Sequence, residues 1–408
     1  MTYRFGLLGR TLSHSHSPKI HRLLGGYGYS LFERGPDEAE KFILSGEWDG
    51  LNVTIPYKKT AYRLADEVSA TAEKCGSVNT LVHRNGKIYG DNTDYYGFLK
   101  TVLKSGIALR QKKCLVLGDG GAAGAVRAVL SDLGARDIVT VSRRGENNYG
   151  NLGLHADAEI IVNATPIGMY PGNGVSPVDL SLFPRLSGVF DLIFNPLRTK
   201  LLLDAERLSV PCAGGLYMLV AQAKKSSDLF LGAEKDDAVI DEVYGALKRE
   251  VGNVVLVGMP GCGKTTVGAI LAGKLGKKLV DTDETIEKTA GQSIPAIFEK
   301  YGEDKFRELE TDAAKAAGKL TSTVVTTGGG IVKRADNFDP LRQNGTVVYL
   351  TRKTENLARE GRPLSADADL EKMLAERAPL YEAISDFAVP NDGDPQKTAD
   401  LIIEKLGG

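Results

Sequence analysis

The stretch Val254-Val255-Leu256-Val257-Gly258-Met259-Pro260-Gly261-Cys262-Gly263-Lys264-Thr265 decides the fold of the last third of this chain. Val254–Val257 is a short apolar, β-branched run and reads as a buried strand. It enters the spacing G-x-x-x-x-G-K-T, a Walker A loop, and a helix follows. Glycines let successive backbone N–H groups converge on phosphate oxygens, and the helix N-terminus adds a favourable dipole. Gly261, Cys262, Gly263, Lys264, Thr265 and Thr266 are therefore the candidate ATP-binding residues, with Lys264 on the β- and γ-phosphates and Thr265 on Mg²⁺.

Downstream, the next strand ends at Val280-Asp281-Thr282-Asp283. Acids at i and i+2 lie on the same side of a strand end. Asp281 is placed to reach the metal, directly or through water, and Asp283 to accept a hydroxyl proton from the phosphoryl acceptor. Asp283 reads equally as the N-cap of a helix over Glu284–Lys288. A strand over Val324–Thr327 runs into Gly328-Gly329-Gly330, a signal of close backbone approach to a ligand. Arg362, in a charged stretch, is positioned to close over ATP and stabilise transition-state charge.

Upstream the same logic recurs. Lys113–Leu117 reads as a fully buried strand, followed by the turn Gly118-Asp119-Gly120-Gly121-Ala122-Ala123-Gly124, a helix over Ala122–Leu133 and a strand over Asp137–Ser142. That is a βαβ unit carrying the dinucleotide spacing G-x-G-x-x-A. Where an NAD site has an acid, this chain has Ser142-Arg143-Arg144. Two cations and a hydroxyl suit a 2′-phosphate, so NADP(H) is expected, with a solvated basic turn as the plain alternative. The segment Gly145–Asp157 is too short and too rich in Gly and Asn for a full crossover helix. Further strands are expected at Ile160–Asn163 and Val189–Leu192, and helices at Leu216–Leu231 and Asp237–Arg249.

The first 98 residues alternate strands (Phe5–Gly9, Gly50–Val53, Asn79–Val82) with helices (Ser17–Tyr27, Lys59–Val68). Three polar clusters stand out: Ser13-His14-Ser15-His16-Ser17-Pro18, Asn52-Val53-Thr54-Ile55-Pro56-Tyr57-Lys58, and Asn79-Thr80 with Asp91-Asn92-Thr93-Asp94. On residue type alone these are caps, turns and a surface lysine.

The chain has 408 residues, enough for two or three domains at roughly 100–200 residues each. Its formal net charge is −1, without a long run of like charge, so nucleic-acid and membrane-surface roles lack electrostatic support. Four cysteines lie far apart, without metal or redox spacing, as expected for reduced thiols in a cytoplasmic protein. The first residues are neither a signal peptide nor a membrane span. Oligomeric state is not legible.

Residues 253–408 resemble shikimate kinase throughout, in GMPGCGKT, LVDTDETIE, FRELE, TTGGGIV, GRPL and ERAPLYE. The resemblance implies that Asp281 assists Mg²⁺ and Asp283 binds shikimate and acts as base. Arg307 and Arg377 would clamp the shikimate carboxylate, the backbone at Gly329 would touch the ring, and Arg362 would be a lid arginine. Arg307 also has Glu303 at i−4 and Glu310 at i+3, so a surface ion pair is an equal reading. Residues 1 to about 245 resemble shikimate dehydrogenase, in SHSHSPKIH, LNVTIPYK, SVNTL, GDNTD, GDGGAAGAV, VNATPIGM and GGLYMLVAQA. This implies that Ser15, Ser17, Thr54, Lys58, Asn79, Asp94 and Gln222 bind shikimate or 3-dehydroshikimate, with Lys58 and Asp94 catalytic. Gly118, Gly120, Gly121, Ala122, Asn163, Thr165 and Gly215 would line the NADP(H) site. Two departures stand out: Phe194 replaces the family's usual tyrosine, and Asp119 sits inside the phosphate turn.

The expected architecture is α/β: a substrate lobe (1–98, completed by helices in 216–250), a Rossmann-like NADP lobe (99–215) and a P-loop kinase domain with a parallel sheet (252–408). The expected function is reduction of 3-dehydroshikimate and phosphorylation of shikimate. The alternatives are a kinase fused to a dehydrogenase-like sensing module, or a quinate/NAD preference.

Overall fold

The computed structural model describes residues 4–12, 15–357 and 370–407. The chain divides into two compact units, Met1–Lys248 and Arg249–Gly408.

The first unit holds two sheets. One contains β1 (Phe5–Gly9), β2 (Tyr29–Glu33), β3 (Gly50–Val53), β4 (Glu67–Val68), β5 (Thr80–Arg84) and β6 (Lys87–Asp91), in the order β2-β1-β3-β5-β6-β4. Its β1, β2 and β3 run parallel, whereas β5 is antiparallel to both β3 and β6. The interior strands β1 and β3 are buried at every residue, as expected of strands covered on both faces. The expected helix over Lys59–Val68 is shorter: it spans Lys58–Leu64, and Glu67–Val68 is strand β4, paired with β6. Pairing decides those two residues, which no local signal separates from the helix.

The other sheet is entirely parallel: β7 (Lys113–Leu117), β8 (Asp137–Val141), β9 (Ile160–Asn163), β10 (Gly188–Asp191) and β11 (Cys212–Ala213), ordered β11-β10-β9-β7-β8. The largely apolar runs of β7 and β9 are central and buried, with register Cys114 to Ile160 and Leu117 to Asn163. Between β8 and β9 there is one 3₁₀ turn, Leu152–His155, and no crossover helix. After β11 the helix Gly215–Leu231 returns the chain to the first sheet, where Phe230 stacks on Phe5 with ring centroids 5.0 Å apart. It crosses the helix Thr93–Ser105 closely: a Cβ on Gly97 would lie 2.7 Å from the Met218 carbonyl.

The helix Ala238–Val251 is followed after one residue by β12 (Asn253–Val257) of the second unit. That unit's sheet adds β13 (Lys278–Asp281), β14 (Thr323–Thr326), β15 (Gly345–Thr351) and β16 (Phe387–Pro390), all parallel, ordered β13-β14-β12-β15-β16. Its core is mainly aliphatic, centred on Val254–Val257, Val324, Val325 and Val347–Leu350. The stretch Ile294–Gly318 is two helices broken at Gly302 (φ 81°, ψ 177°), a left-handed φ that glycine adopts without strain.

Among the described residues, no helix is long and apolar enough to cross a membrane.

Candidate functional sites

In the first unit the polar clusters meet. Lys58 is the first residue of a helix just after β3, and Asp94 lies in the first turn of the helix after β6. Their side chains form an ion pair, with only 14% and 9% of the respective side chains exposed. Asn79, just before β5, donates from Nδ2 to Asp94 Oδ1 at 2.9 Å. Asn79 Oδ1 receives the Thr93 backbone N–H at 2.7 Å, which settles which end of the amide faces the carboxylate. Thr93 Oγ1 donates to Gln222 Oε1 at 3.3 Å. Thus Lys58, Asp94, Asn79 and Gln222 form one hydrogen-bonded assembly, built from four separate parts of the chain.

Ser15 and Ser17 bond to each other through their hydroxyls at 3.1 Å, at the start of the helix Ser17–Gly25. Neither caps it: the N-cap is His16, which makes no side-chain cap bond. Thr54 follows β3, and its backbone N–H donates to the Leu8 carbonyl at 2.9 Å. The His16 ring meets Phe194 edge-on, with centroids 5.8 Å apart. Ser13 and His14 lie outside the described residues.

The glycine turn after β7 comes up to this assembly. A Cβ on Gly121 would stand 3.3 Å from Lys58 Cδ. Gly118 has φ +100°, and a Cβ there would meet Thr165 Cγ2 at 2.8 Å, so the turn admits only glycine at that point. Gly120 faces open space and Ala122 leads into the helix Ala123–Asp132. Asn163, fully buried, accepts from Thr165 N–H (3.0 Å) and Thr165 Oγ1 (2.7 Å) and donates to Asp191 Oδ1 at 3.0 Å. Burial pushes the Asp191 carboxyl up to about 6. A Cβ on Gly215 would lie 2.1 Å from the Leu192 carbonyl. These residues gather at the carboxyl ends of β7, β9 and β10, the edge where parallel sheets hold dinucleotides. Ser142 is half-buried past the end of β8, and Arg143 and Arg144 are exposed, in no ion pair among the described residues. Free cations beside a hydroxyl fit a ribose phosphate. Asp119 is exposed and does not point into the turn's packing.

In the second unit the Walker loop has Gly258 (φ +148°), Gly261 (φ +85°) and Gly263 (φ +95°), backbone that L side chains rarely adopt. Lys264 is 8% exposed and folds back, donating to the Gly258 and Met259 carbonyls at 2.8 and 2.9 Å. Thr265 and Thr266 are exposed on the first turn of the helix Lys264–Leu275. Cys262 is buried, and its carbonyl accepts from Asn391 Nδ2 at 2.7 Å.

Asp281, not Asp283, caps the following helix, which spans Thr282–Ala290. Its Oδ1 accepts from Asp283 N–H at 2.9 Å, and its Oδ2 from Thr326 Oγ1 at 2.6 Å. Asp283 therefore sits inside the first turn with its side chain uncommitted: Oδ1 is buried without a hydrogen-bond partner. Burial, then the charges of Asp281 and Glu310, push this carboxyl up to about 6. The triple glycine makes room for it. A Cβ on Gly328 would lie 2.6 Å from Asp283 Oδ1, on Gly330 2.2 Å from Arg307 Nη1, and on Gly329 2.6 Å from the Pro260 ring of the Walker loop.

Arg307 forms both ion pairs that its helical spacing offers, but mostly away from the surface. Its side chain is 11% exposed, and it bonds Glu303 and the buried Glu310 at 2.9 and 2.7 Å. Arg377 donates to the Gly329 carbonyl at 3.2 Å, Tyr381 O–H donates to the same oxygen at 2.5 Å, and Arg377 Nε is buried without a partner. Glu303, Arg307, Lys333, Arg334, Arg377 and Leu380 line a cavity of about 430 Å³. Asp304 and Glu376 also line it, so four cations face three acids; among the described residues the one unsatisfied buried donor there, Arg377 Nε, suits a small carboxylate. Arg362 lies outside the described residues. Sequence reasoning missed Lys333 and Tyr381; their signal was only position, just past the triple glycine or one helical turn from Arg377.

Comparison with known proteins finds the family model "Shikimate dehydrogenase substrate binding domain" over residues 7–81 and the model "Shikimate kinase" over 260–407. A shikimate dehydrogenase (NADP(+)) of Clostridium beijerinckii is 35% identical over 267 residues, covering 60% of this chain and 98% of that protein. A crystal structure of a chorismate mutase/shikimate 5-dehydrogenase fusion protein from Clostridium acetobutylicum aligns at TM-score 0.58 and 37% identity, covering 61% of this chain and 98% of that one. Shikimate 5-dehydrogenase from Thermus thermophilus, solved with NADP(H) and shikimate, aligns at TM-score 0.54 and 29% identity, covering 59% and 98%.

Proposed function

The chain belongs to the shikimate dehydrogenase family through its first unit and carries a shikimate kinase domain in its second, and from that premise we propose how one polypeptide performs two successive reactions. It is a bifunctional enzyme of the shikimate pathway: NADPH-dependent reduction of 3-dehydroshikimate to shikimate, then ATP- and Mg²⁺-dependent phosphorylation of shikimate to shikimate 3-phosphate. Its partners are small molecules. One observation supports both halves: in each unit an ionisable side chain stands against a glycine turn suited to a ligand, Lys58 at Gly121 and Asp283 at Gly328.

In the reduction, bound NADPH supplies the hydride. Lys58 stabilises the charge growing on the ketone oxygen and donates a proton to it, while Asp94 holds the ammonium in place. Ser15, Ser17, Thr54, Asn79 and Gln222 orient the hydroxyls and carboxylate of the substrate. Ser142, Arg143 and Arg144 hold the 2′-phosphate, and Gly118, Gly120, Gly121, Ala122, Asn163, Thr165 and Gly215 line the remaining cofactor site.

In the phosphorylation, ATP with Mg²⁺ supplies the phosphoryl group and neutralises its charge. Asp283 Oδ1 accepts the proton of the acceptor hydroxyl, a role its vacant lone pairs and raised pKa suit. Arg307, Arg377 and the Gly329 backbone hold the acceptor. Gly261, Cys262, Gly263, Lys264, Thr265 and Thr266 take the phosphates, Thr265 also the metal. Asp281, whose oxygens already accept from Asp283 N–H and Thr326, would assist Mg²⁺, directly or through water. The resemblance assigns Arg362, which lies outside the described residues, the role of lid arginine.

The domain reading follows: 1–98 with helices of 216–250 as substrate lobe, 99–215 as cofactor lobe, 252–408 as kinase. A cytoplasmic location is supported by four free cysteines; burial pushes Cys75 and Cys114 up to about 12 and Cys212 up to about 11.

The test is one assay with purified protein, 3-dehydroshikimate, NADPH, ATP and Mg²⁺, following nicotinamide absorbance and phosphorylated product. Both signals are expected. Phosphorylation of supplied shikimate without NADPH oxidation would reduce the first unit to a binding module.

A further inference from the structure

Behind the Lys58–Asp94 pair lies a knot of hydroxyls and amides. Ser226, on the helix Gly215–Leu231, is completely enclosed. Its Oγ accepts from Asn52 Nδ2 at 2.8 Å, lies 3.0 Å from Thr80 Oγ1 and 3.1 Å from Thr93 Oγ1, and donates to the Gln222 carbonyl at 3.0 Å. Four neighbours compete for one proton and two lone pairs, so the direction of each bond matters.

That direction is set from outside the knot. Tyr29 O–H donates to Asn52 Oδ1 at 2.7 Å, and desolvation holds this phenol well above its ordinary pKa, so it stays a donor. Asn52 must therefore turn Nδ2 inward, to Ser226 and to Thr80 Oγ1 at 3.0 Å. The Thr80 proton then goes to Asn79 Oδ1 at 3.1 Å, and the Thr93 hydroxyl donates to Asn79 Oδ1 at 3.2 Å and Gln222 Oε1 at 3.3 Å. Donation then runs one way, from Tyr29 through Asn52 and the hydroxyls to Asn79 and Gln222. Reversing it would set the Asn52 amide protons against hydroxyl protons among fully buried groups, a costly arrangement.

We infer that Ser226, with Asn52, is a positioning residue for the reduction: its donor direction reinforces the Thr93 backbone N–H in holding Asn79 toward Asp94, and so Lys58, and presents Gln222 to the substrate. This rests on the reduction proposed above. Asn52 and Ser226 are 174 positions apart, and only the return of the helix Gly215–Leu231 to the first sheet brings them together.

The experiment uses the full chain with 3-dehydroshikimate and NADPH, and the kinase rate as internal control. Ser226→Ala and Thr80→Val, which each remove a hydroxyl, are expected to lower kcat for reduction about tenfold, the effect of one lost buried hydrogen bond. KM for NADPH and the kinase rate should stay unchanged. Thr80→Ser, which keeps the hydroxyl, should restore kcat. If Ser226→Ala fails to fold, the Thr80 pair decides alone. Wild-type kcat in Thr80→Val, or a Thr80→Ser as slow as Thr80→Val, overturns the inference while leaving the reduction standing. A wild-type chain that oxidises no NADPH overturns the reduction, and this inference with it.

Discussion

In the first unit Asp94 has no idle oxygen: Oδ2 meets Lys58 and Oδ1 meets Asn79 Nδ2. In the second unit Asp283 Oδ1 is buried with no partner, and burial, then the charges of Asp281 and Glu310, raise its pKa. The same residue type, facing the same class of metabolite, is prepared for opposite tasks. A carboxylate saturated by N–H donors is an anchor that holds a cation in place. One left unsatisfied beside other acids binds a proton more readily and serves as a base. The phosphate turns differ in the same sense. The Walker loop carries its own buried cation, Lys264, whereas the turn Gly118–Gly121 holds none and the exposed Arg143 and Arg144 follow β8.

The strongest way to break this comparison is to remove each charge. Asp283→Asn is expected to lower the kinase kcat by about two to four orders of magnitude while leaving reduction intact. Lys58→Ala should do the converse, costing the reduction a comparable factor. A loss of both activities in either variant would show the two sites to be interdependent. Next in size, Arg143→Ala with Arg144→Ala should raise KM for NADPH about tenfold to a hundredfold, the effect of lost charge-assisted bonds to a phosphate. KM for NADH should barely move, and equal effects on both would remove the 2′-phosphate assignment.

The pH profile sharpens the contrast. Asp283 must be ionised to act as base and has its pKa raised to about 6. Kinase kcat/KM should therefore be level above about pH 7 and fall about tenfold per unit below about pH 6; a break near the ordinary carboxylate value would contradict the raised pKa. The linkage runs the same way. A carboxyl with a raised folded pKa is destabilising when ionised, so stability falls as pH rises from its unfolded value through about 6, and Asp283→Asn should raise the melting temperature of the second unit at about pH 8. The smallest expected effect is at Phe194. Phe194→Tyr restores one hydroxyl near His16 and should lower KM for 3-dehydroshikimate several-fold; an unchanged KM would mean that this position does not reach the substrate.

Much of this molecule is legible without its coordinates. The strands Phe5–Gly9, Gly50–Val53, Lys113–Leu117 and Ile160–Asn163 stand where apolar runs place them, because a strand buried on both faces needs a nearly unbroken apolar sequence. Both glycine turns are readable because positive φ and close contact leave few other residues possible. The helix cap is less so. Asp281 and Asp283 both satisfy the local rule, and only the pairing of β13 with β14 puts Asp281 beside Thr326. Arg307 reads in sequence as either surface pair or clamp; its burial, which depends on the helix break at Gly302 and the bare backbone at Gly330, is not a local property.

By itself, then, the order of residues determined the element types, the two nucleotide turns, the cofactor's expected phosphate and the metabolite shared by both halves. The elements, turns and phosphate follow from short-range sterics, periodicity and residue chemistry; the shared metabolite follows only from the resemblance to two families. Only the tertiary structure shows that Asp94 is saturated by donors while Asp283 Oδ1 is left unsatisfied, and how Ser226 meets Asn52. Partners far apart in sequence supply desolvation and hydrogen-bond direction, and no local pattern encodes them.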